Sequence, residues 1–346
     1  MRVLLLPFTA AMLLACSPSQ SDVKTPESSQ AATSKHDTPK YDIKRQYAKF
    51  AEVPMDVDTS FLSPSEKAVV NKLIEASGYL SEIYLRQRGE NYPQLREEIK
   101  SKGRAIDLKM FDLHFGPCDG LEAGKLFYGD TPCPKGGGFY PADMTKDEFE
   151  AHITANPSDK AAFTSGYTLI RRDDAGKLIA VPYREAYAQW LEPAAKLMRE
   201  AAELSENASL KNFLNLRAKA FLDDEYFASE LAWMDLDGNI EIAIGPYEVY
   251  DDGLFGYKTA YESFVTIKNP EESAALAKYK DFLKDMEKNL PVDEAYKNYT
   301  RGFESPIAVT YQIQGGGDNA NGVQTIALTF PMMSAYAKPK VQRKSF

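Results

Sequence analysis

The chain has 346 residues, 44% of them hydrophobic and 26% charged, and carries a formal net charge of −9. That length is enough to bury one large core or two smaller ones. The acidic balance excludes nucleic acid as a partner, since phosphates are bound by clustered Lys and Arg, and no apolar run is long enough to span a bilayer.

The first residues carry an address. Met1-Arg2 followed by VLLLPFTAAMLLA combines a positive start with a short apolar core, as a secretory signal does. It ends in Leu13-Leu14-Ala15-Cys16, which resembles a bacterial lipoprotein box with Cys16 as the lipidated residue. Several acyl chains on one residue anchor stably, at about 0.8 kcal/mol per buried methylene. Residues 1–16 therefore read as a lipoprotein signal peptide. Ser17 fits sorting to the outer membrane, facing the periplasm, and residues 17–45, rich in Ser, Thr, Pro, Gln and Ala, read as a flexible linker.

Helices dominate the next part. Ser63-Pro64-Ser65-Glu66 is a capping box with Pro at the first helical position, and Val70, Leu73, Ile74 and Ser77 follow on one face. Thr145 and Glu148 make a second capping box, opening a short helix whose His152 is expected to face solvent. Cys118 in GPCDG and Cys133 in TPCPK lie in turn-like contexts of an exported chain, which predicts a structural disulfide. Its loop length is worth about 3 kcal/mol in the chain-entropy model. YTLIRRDDAGKLIAVPY reads as a hairpin about Asp174-Ala175-Gly176. Helical periodicity covers Tyr183–Leu204, and a second helix follows a break near Asn207.

Strands then take over. Asn239–Ile244, Phe264–Lys268, Ile307–Gln314 and Val323–Phe330 are expected strands, with one helix over Ser273–Lys288 and a flexible hairpin loop at GGGDNANG. Asp235-Leu236-Asp237-Gly238-Asn239 lacks the later ligands of a calcium loop and reads as a β-turn. Glu241–Ile244 alternates as a half-buried strand, Gly245-Pro246 is expected to break it, and Asp251-Asp252-Gly253 supplies turn chemistry. Between the breaks lie Glu248 and Tyr250, a spacing that puts both side chains on one face of an extended backbone. On sequence alone the plainer reading of these residues is an ordinary connecting loop with a solvated acid and a half-buried tyrosine.

The stretch IGPYEVYDDGLFGYKTAYESFVTI resembles the substrate-binding strand of the dipeptidyl peptidase III family of zinc metallopeptidases. In that family an E-x-Y pair follows an I-G element and precedes F-G. LIEASGYLSEIYLRQ, FYPADMTKDEFE, YREAYAQWLEPAAKLMREAAEL and DDEYFASELAWMDLDGNIEIAIGPYE are similar to further blocks of its bacterial branch, so the resemblance covers residues 46–331. It implies an α+β fold, with a helix-rich N-terminal part and a mixed or antiparallel, barrel-like β region. Together these would form one lobe of a two-lobed cleft enzyme, with the zinc-bearing helical lobe largely missing. It implies that Glu248 receives the amino terminus of a short peptide and that Tyr250 stabilises the carbonyl oxygen as charge develops. The family's N-x-P-N segment falls on Thr329 and Met332 here, so Thr329 occupies the first Asn position of a substrate-binding element.

The family's zinc motif, H-E-x-x-G-H with a further Glu downstream, holds an ion that lowers the pKa of its bound water to about 7. This chain has only His36, His114 and His152, at no helical spacing, and neither H-E-x-x-H nor H-E-x-x-G-H occurs. His36 falls in the linker, and His114 in FDLHFGPCDG reads as packed or half-exposed. The expectation is no metal site and no cofactor in this chain, zinc belonging to the full-length family, and no hydrolysis by the chain alone. Residues 332–346 read as a frame-shifted tail. If a family-like segment P-N-D-E-R-V-R-K-A-K-G-A-K-K-V were encoded with suitable codons, loss of one base after Pro331 would yield M-M-S-A-Y-A-K-P-K-V-Q-R-K, which is Met332–Lys344 in order. A non-catalytic peptide-binding lipoprotein and a structural or interaction lipoprotein are the alternatives.

Overall fold

The computed structural model of the protein describes residues 41–54, 56–278, 282–299, 307–321, 328–329 and 344–345. The signal peptide with Cys16, almost all of the linker with His36, and most of the tail lie outside them. Helices come first: α1 (Ile43–Tyr47), α2 (Pro64–Arg88), α3 (Tyr92–Ser101) and α4 (Ala105–His114), then a short ribbon of β1 (Cys118–Asp119) and β2 (Lys125–Leu126). Next are α5 (Lys146–Ala155), α6 (Lys160–Phe163) and the hairpin β3 (Thr168–Arg172) and β4 (Leu178–Pro182). Four helices follow: α7 (Tyr183–Ala186), α8 (Ala188–Leu204), α9 (Ala208–Asp223) and α10 (Phe227–Met234). The β region holds β5 (Ile240–Glu248), β6 (Ala260–Lys268), α11 (Pro270–Ala277), α12 (Leu283–Lys288), β7 (Ile307–Ala308), β8 (Thr310–Gly317), β9 (Leu328–Thr329) and β10 (Lys344–Ser345).

The fold is α+β, and α2 is its spine. Ser63 accepts the Glu66 amide and Glu66 reaches back to the Ser63 amide, so both arms of the capping box are made. From there Leu73, Ala76, Leu80, Ile83 and Tyr84 turn a single face inward with no exposure at all. At roughly 1.5–3 kcal/mol for each large apolar side chain withdrawn from water, this face anchors the main core. It packs against α8, which packs in turn on α9, and it crosses β6 and β8.

The central sheet is antiparallel in the order β5-β6-β8, with Ile244 opposite Ser263, Gly245 opposite Glu262, and Glu262 opposite Gly317. Among the described residues it is open, not a closed barrel. β7, β9 and β10 form a second, smaller sheet.

Several expectations need correcting. Gly245-Pro246 does not break β5, which runs on to Glu248 and absorbs the irregularity as a shift of register between Pro246 and Glu248. Pro is tolerated there because β5 is an edge strand among the described residues, where a missing N–H costs no ladder bond. Nor is β5 half-buried, since Glu241 is as hidden as its apolar neighbours. Gly315–Gly317 extend β8 instead of forming a loop. A Cβ at Gly316 would stand 2.3 Å from Ser77 Oγ and 2.5 Å from Ser263 Oγ, so glycine lets helix and sheet approach. The helix expected over Ser273–Lys288 is two helices that begin earlier, at Pro270. Thr145 caps Glu148, but the Glu148 carboxylate turns to Arg172, leaving half a capping box. His152 does not face solvent: its side chain is only 8% exposed, stacked on Phe163 at 4.3 Å and hydrogen-bonded to Asp159 at 3.0 Å.

Candidate functional site

Glu248 ends β5 half-buried, and Tyr250, two residues on in the turn, is 81% exposed. Burial raises the Glu248 carboxyl above its ordinary range, and a hydrogen bond from Tyr250 offsets part of that. The two side chains therefore meet, although only Glu248 belongs to the strand.

The loop beyond this pair is held by one carboxylate. Asp252, 3% exposed, accepts the Tyr140 hydroxyl at 2.6 Å and the backbone amides of Leu254, Phe255, Tyr257 and Lys258 at 2.8–3.1 Å. Five donors on one Asp fix the connection between β5 and β6. The Gly253 amide donates to the Lys135 carbonyl at 2.8 Å, tying this loop to the one that carries Cys133. There Cys118 and Cys133 are joined, with their Cα atoms 6.3 Å apart.

A group of charges faces Glu248. Glu262 on β6 is 4% exposed and accepts no hydrogen bond among the described residues. Burial pushes its carboxyl up to about 9, and Asp318 and Glu248 push the same way. Asp318, just past β8, is pushed up to about 6, again mainly by burial, while it accepts the Tyr84 hydroxyl at 2.8 Å. Asn321 holds that hydroxyl from the other side at 2.7 Å. Arg88, at the end of α2, pairs with Asp251, whose second oxygen is buried without a partner. Four carboxyls thus converge with one guanidinium, which Asp251 already engages.

Behind β5 lies Arg217, fully buried and paired with Glu230. Its guanidinium sits 5.2–5.4 Å from the ring centroids of Phe213, Tyr226 and Tyr247. Gly245 makes room for it, since a Cβ there would come within 2.4 Å of Nη1. A cavity of about 660 Å³ lies beside Tyr92, Tyr128 and Cys133, and neither Glu248 nor Tyr250 lines it.

The remaining candidates stand apart. Thr329 is in β9 of the smaller sheet, not in the sheet that carries Glu248, and its side chain lies outside the described residues. Met332 is not described either. His114 is buried between Phe50 and Phe127, with Asp119 Oδ1 3.4 Å from its Nε2. Zinc is implied by the family resemblance, yet no group of three or more His, Cys, Asp or Glu among the described residues is placed to hold a metal ion. The described donors do not fit the ion. Asp237 is likewise taken, by Asn207 at 3.0 Å and Ser209 at 2.6 Å, as a turn residue would be.

Residues 144–307 match the model of peptidase family M49. The fold overlays dipeptidyl-peptidase III from Caldithrix abyssi with a TM-score of 0.82 at 46% identity, covering 87% of this chain and 58% of that one. Over the part it spans, the chain is similar in sequence and fold to the dipeptidyl peptidase III family. A second family structure, from Corallococcus sp. strain EGB, gives a TM-score of 0.80 at 38% identity over 88% of this chain and 57% of that one. Nudix hydrolase 3 of Arabidopsis thaliana is 29% identical over 343 residues, which is 84% of this chain and 44% of that protein. The chain thus spans little more than half the length of the solved family members and under half of the plant relative.

Sequence reasoning named Glu248 and Tyr250 but missed Glu262, Asp318, Arg88 and Asp251. Glu262 had a signal, a lone acid inside the apolar run AYESFVTI, because a carboxyl buried in a strand demands an explanation. The Arg88–Asp251 pair, 163 residues apart in the chain, had none.

Proposed function

We propose that this chain is the peptide-binding part of a dipeptidyl-peptidase-III-type peptidase, and that by itself it binds short peptides by the amino terminus without cleaving them. The observation that carries this reading is the surplus of carboxyls around Glu248. One guanidinium serves four carboxyls, so a peptide ammonium supplies the missing positive charge. Glu248 accepts that ammonium, and the exposed Tyr250 hydroxyl donates to the first carbonyl of the peptide.

Calorimetry with an unblocked short peptide tests the reading. Glu248→Ala should weaken binding by about 10- to 100-fold, the equivalent of one charge-assisted hydrogen bond. Unchanged affinity would remove Glu248 from the site. Hydrolysis of a dipeptidyl-naphthylamide by the purified chain, abolished by a chelator, would overturn the non-catalytic part. We further propose export and anchoring through a lipid on Cys16, supported by the signal and lipoprotein box. Cys16→Ala should then move the protein from the membrane to the soluble fraction.

A further inference from the structure

Glu262 does something that ammonium recognition alone does not require. A fixed anion is the simplest partner for a cation, and Glu248 and Asp251 lie close by. Glu262, though, is set inside the sheet, opposite Gly245 on one side and Gly317 on the other. Neither glycine offers it a side-chain donor, and no hydrogen bond reaches its carboxyl among the described residues. β5 gives Glu248 and Tyr247 and the turn after β8 gives Asp318 as its charged and titratable neighbours, while Tyr84 and Arg88 of α2 and Asp251 of the β5–β6 loop stand around Asp318. Beyond Tyr247 stand Arg217 and Glu230, paired with each other. The single cation of the cluster, Arg88, is engaged by Asp251, which still has one buried oxygen without a partner.

We propose that this cluster exchanges a proton for a peptide ammonium, so that capture of a peptide releases a proton to solvent and peptide affinity rises with pH. In the empty site Glu262 keeps its proton, because a further negative charge beside Glu248 and Asp318 in a desolvated position costs more than a neutral acid. An arriving ammonium reverses that balance. The Glu262 O–H bond breaks, the proton passes to water, and the carboxylate stays behind to face the cation. No other bond changes. The inference rests on the peptide-binding reading and adds its regulation: the site binds weakly in acid and more tightly towards neutral pH.

The test is calorimetry of one unblocked short peptide in phosphate and in Tris, at several values between about pH 6 and 7.5, where the peptide amine stays largely charged. The expected result is a heat that differs between the buffers by about one proton per peptide. Affinity should rise by up to about tenfold per pH unit. Glu262→Gln, which keeps the shape and neutrality of the empty site, should bind with equal heat in both buffers and with a flatter pH dependence. Equal heats for the wild type, or proton release undiminished in Glu262→Gln, would overturn the exchange while leaving peptide binding intact. No binding of the peptide at any pH would overturn both.

Discussion

Glu262 is the residue on which the proposed proton exchange turns, and its burial has a consequence for folding as well. Its carboxyl is raised to about 9 in the folded chain, against an ordinary value of about 4.3 once unfolded. Between those values the native state holds a proton that the unfolded state has lost, so this group's contribution to stability falls as pH rises. Glu262→Gln should remove that slope. The variant should gain on the wild type by at most about 1.4 kcal/mol per pH unit between about pH 5 and 9, read from urea unfolding at fixed temperature. A stability difference that does not change with pH would contradict the buried, neutral acid. Asp252 carries a different prediction. Asp252→Ala strands four loop amides and the Tyr140 hydroxyl, so it should cost about 2–4 kcal/mol and weaken peptide binding through the displaced loop. Residue-level legibility is uneven. Glu248 and Tyr250 stand out through family resemblance, and Glu262 is detectable as an acid in an apolar strand. The burial of His152 is hidden from the sequence because Phe163, eleven residues on, stacks over it, and short-range periodicity does not register such a contact.

At the scale of elements, local rules are well legible in the sequence and tertiary pressure poorly. The α2 capping box, the β3–β4 hairpin and the Asn207 cap of α9 all arise from neighbouring residues, and all are present. The continuation of β5 through Gly245-Pro246 does not arise from neighbours. It depends on β5 lying at the sheet edge and on Arg217 needing the space that Gly245 leaves. The same holds for Gly315–Gly317, which read as loop because glycine commonly punctuates strands. They form strand because α2 presses on them, and Gly316→Ala should therefore cost about 1–3 kcal/mol by pushing Ser77 and Ser263 apart. A variant as stable as the wild type in thermal unfolding would show that helix and sheet are free to separate there. The Cys118–Cys133 bridge ties the ribbon after α4 to the loop that binds Gly253 through Lys135. Replacing both cysteines by serine should lower stability by about 2–4 kcal/mol. A change under about half a kcal/mol would mean the loop is held without it.

For the molecule as a whole, from Asp42 onward the chain forms one compact unit, and its likeness to solved dipeptidyl-peptidase III structures spans nearly nine-tenths of its own length. That unit sets a sheet edge, a helix end and a fixed loop around an acidic group with too few cations of its own. The proposed ligand, a peptide amino terminus, brings the cation that this arrangement lacks. The most direct measurement compares one short peptide, with its amino terminus free and then acetylated, by calorimetric titration against the purified chain at neutral pH. Binding of the free peptide, reduced at least about tenfold by acetylation and similarly by Glu248→Ala, is the predicted result. Equal affinity for the free and acetylated peptides would contradict the account.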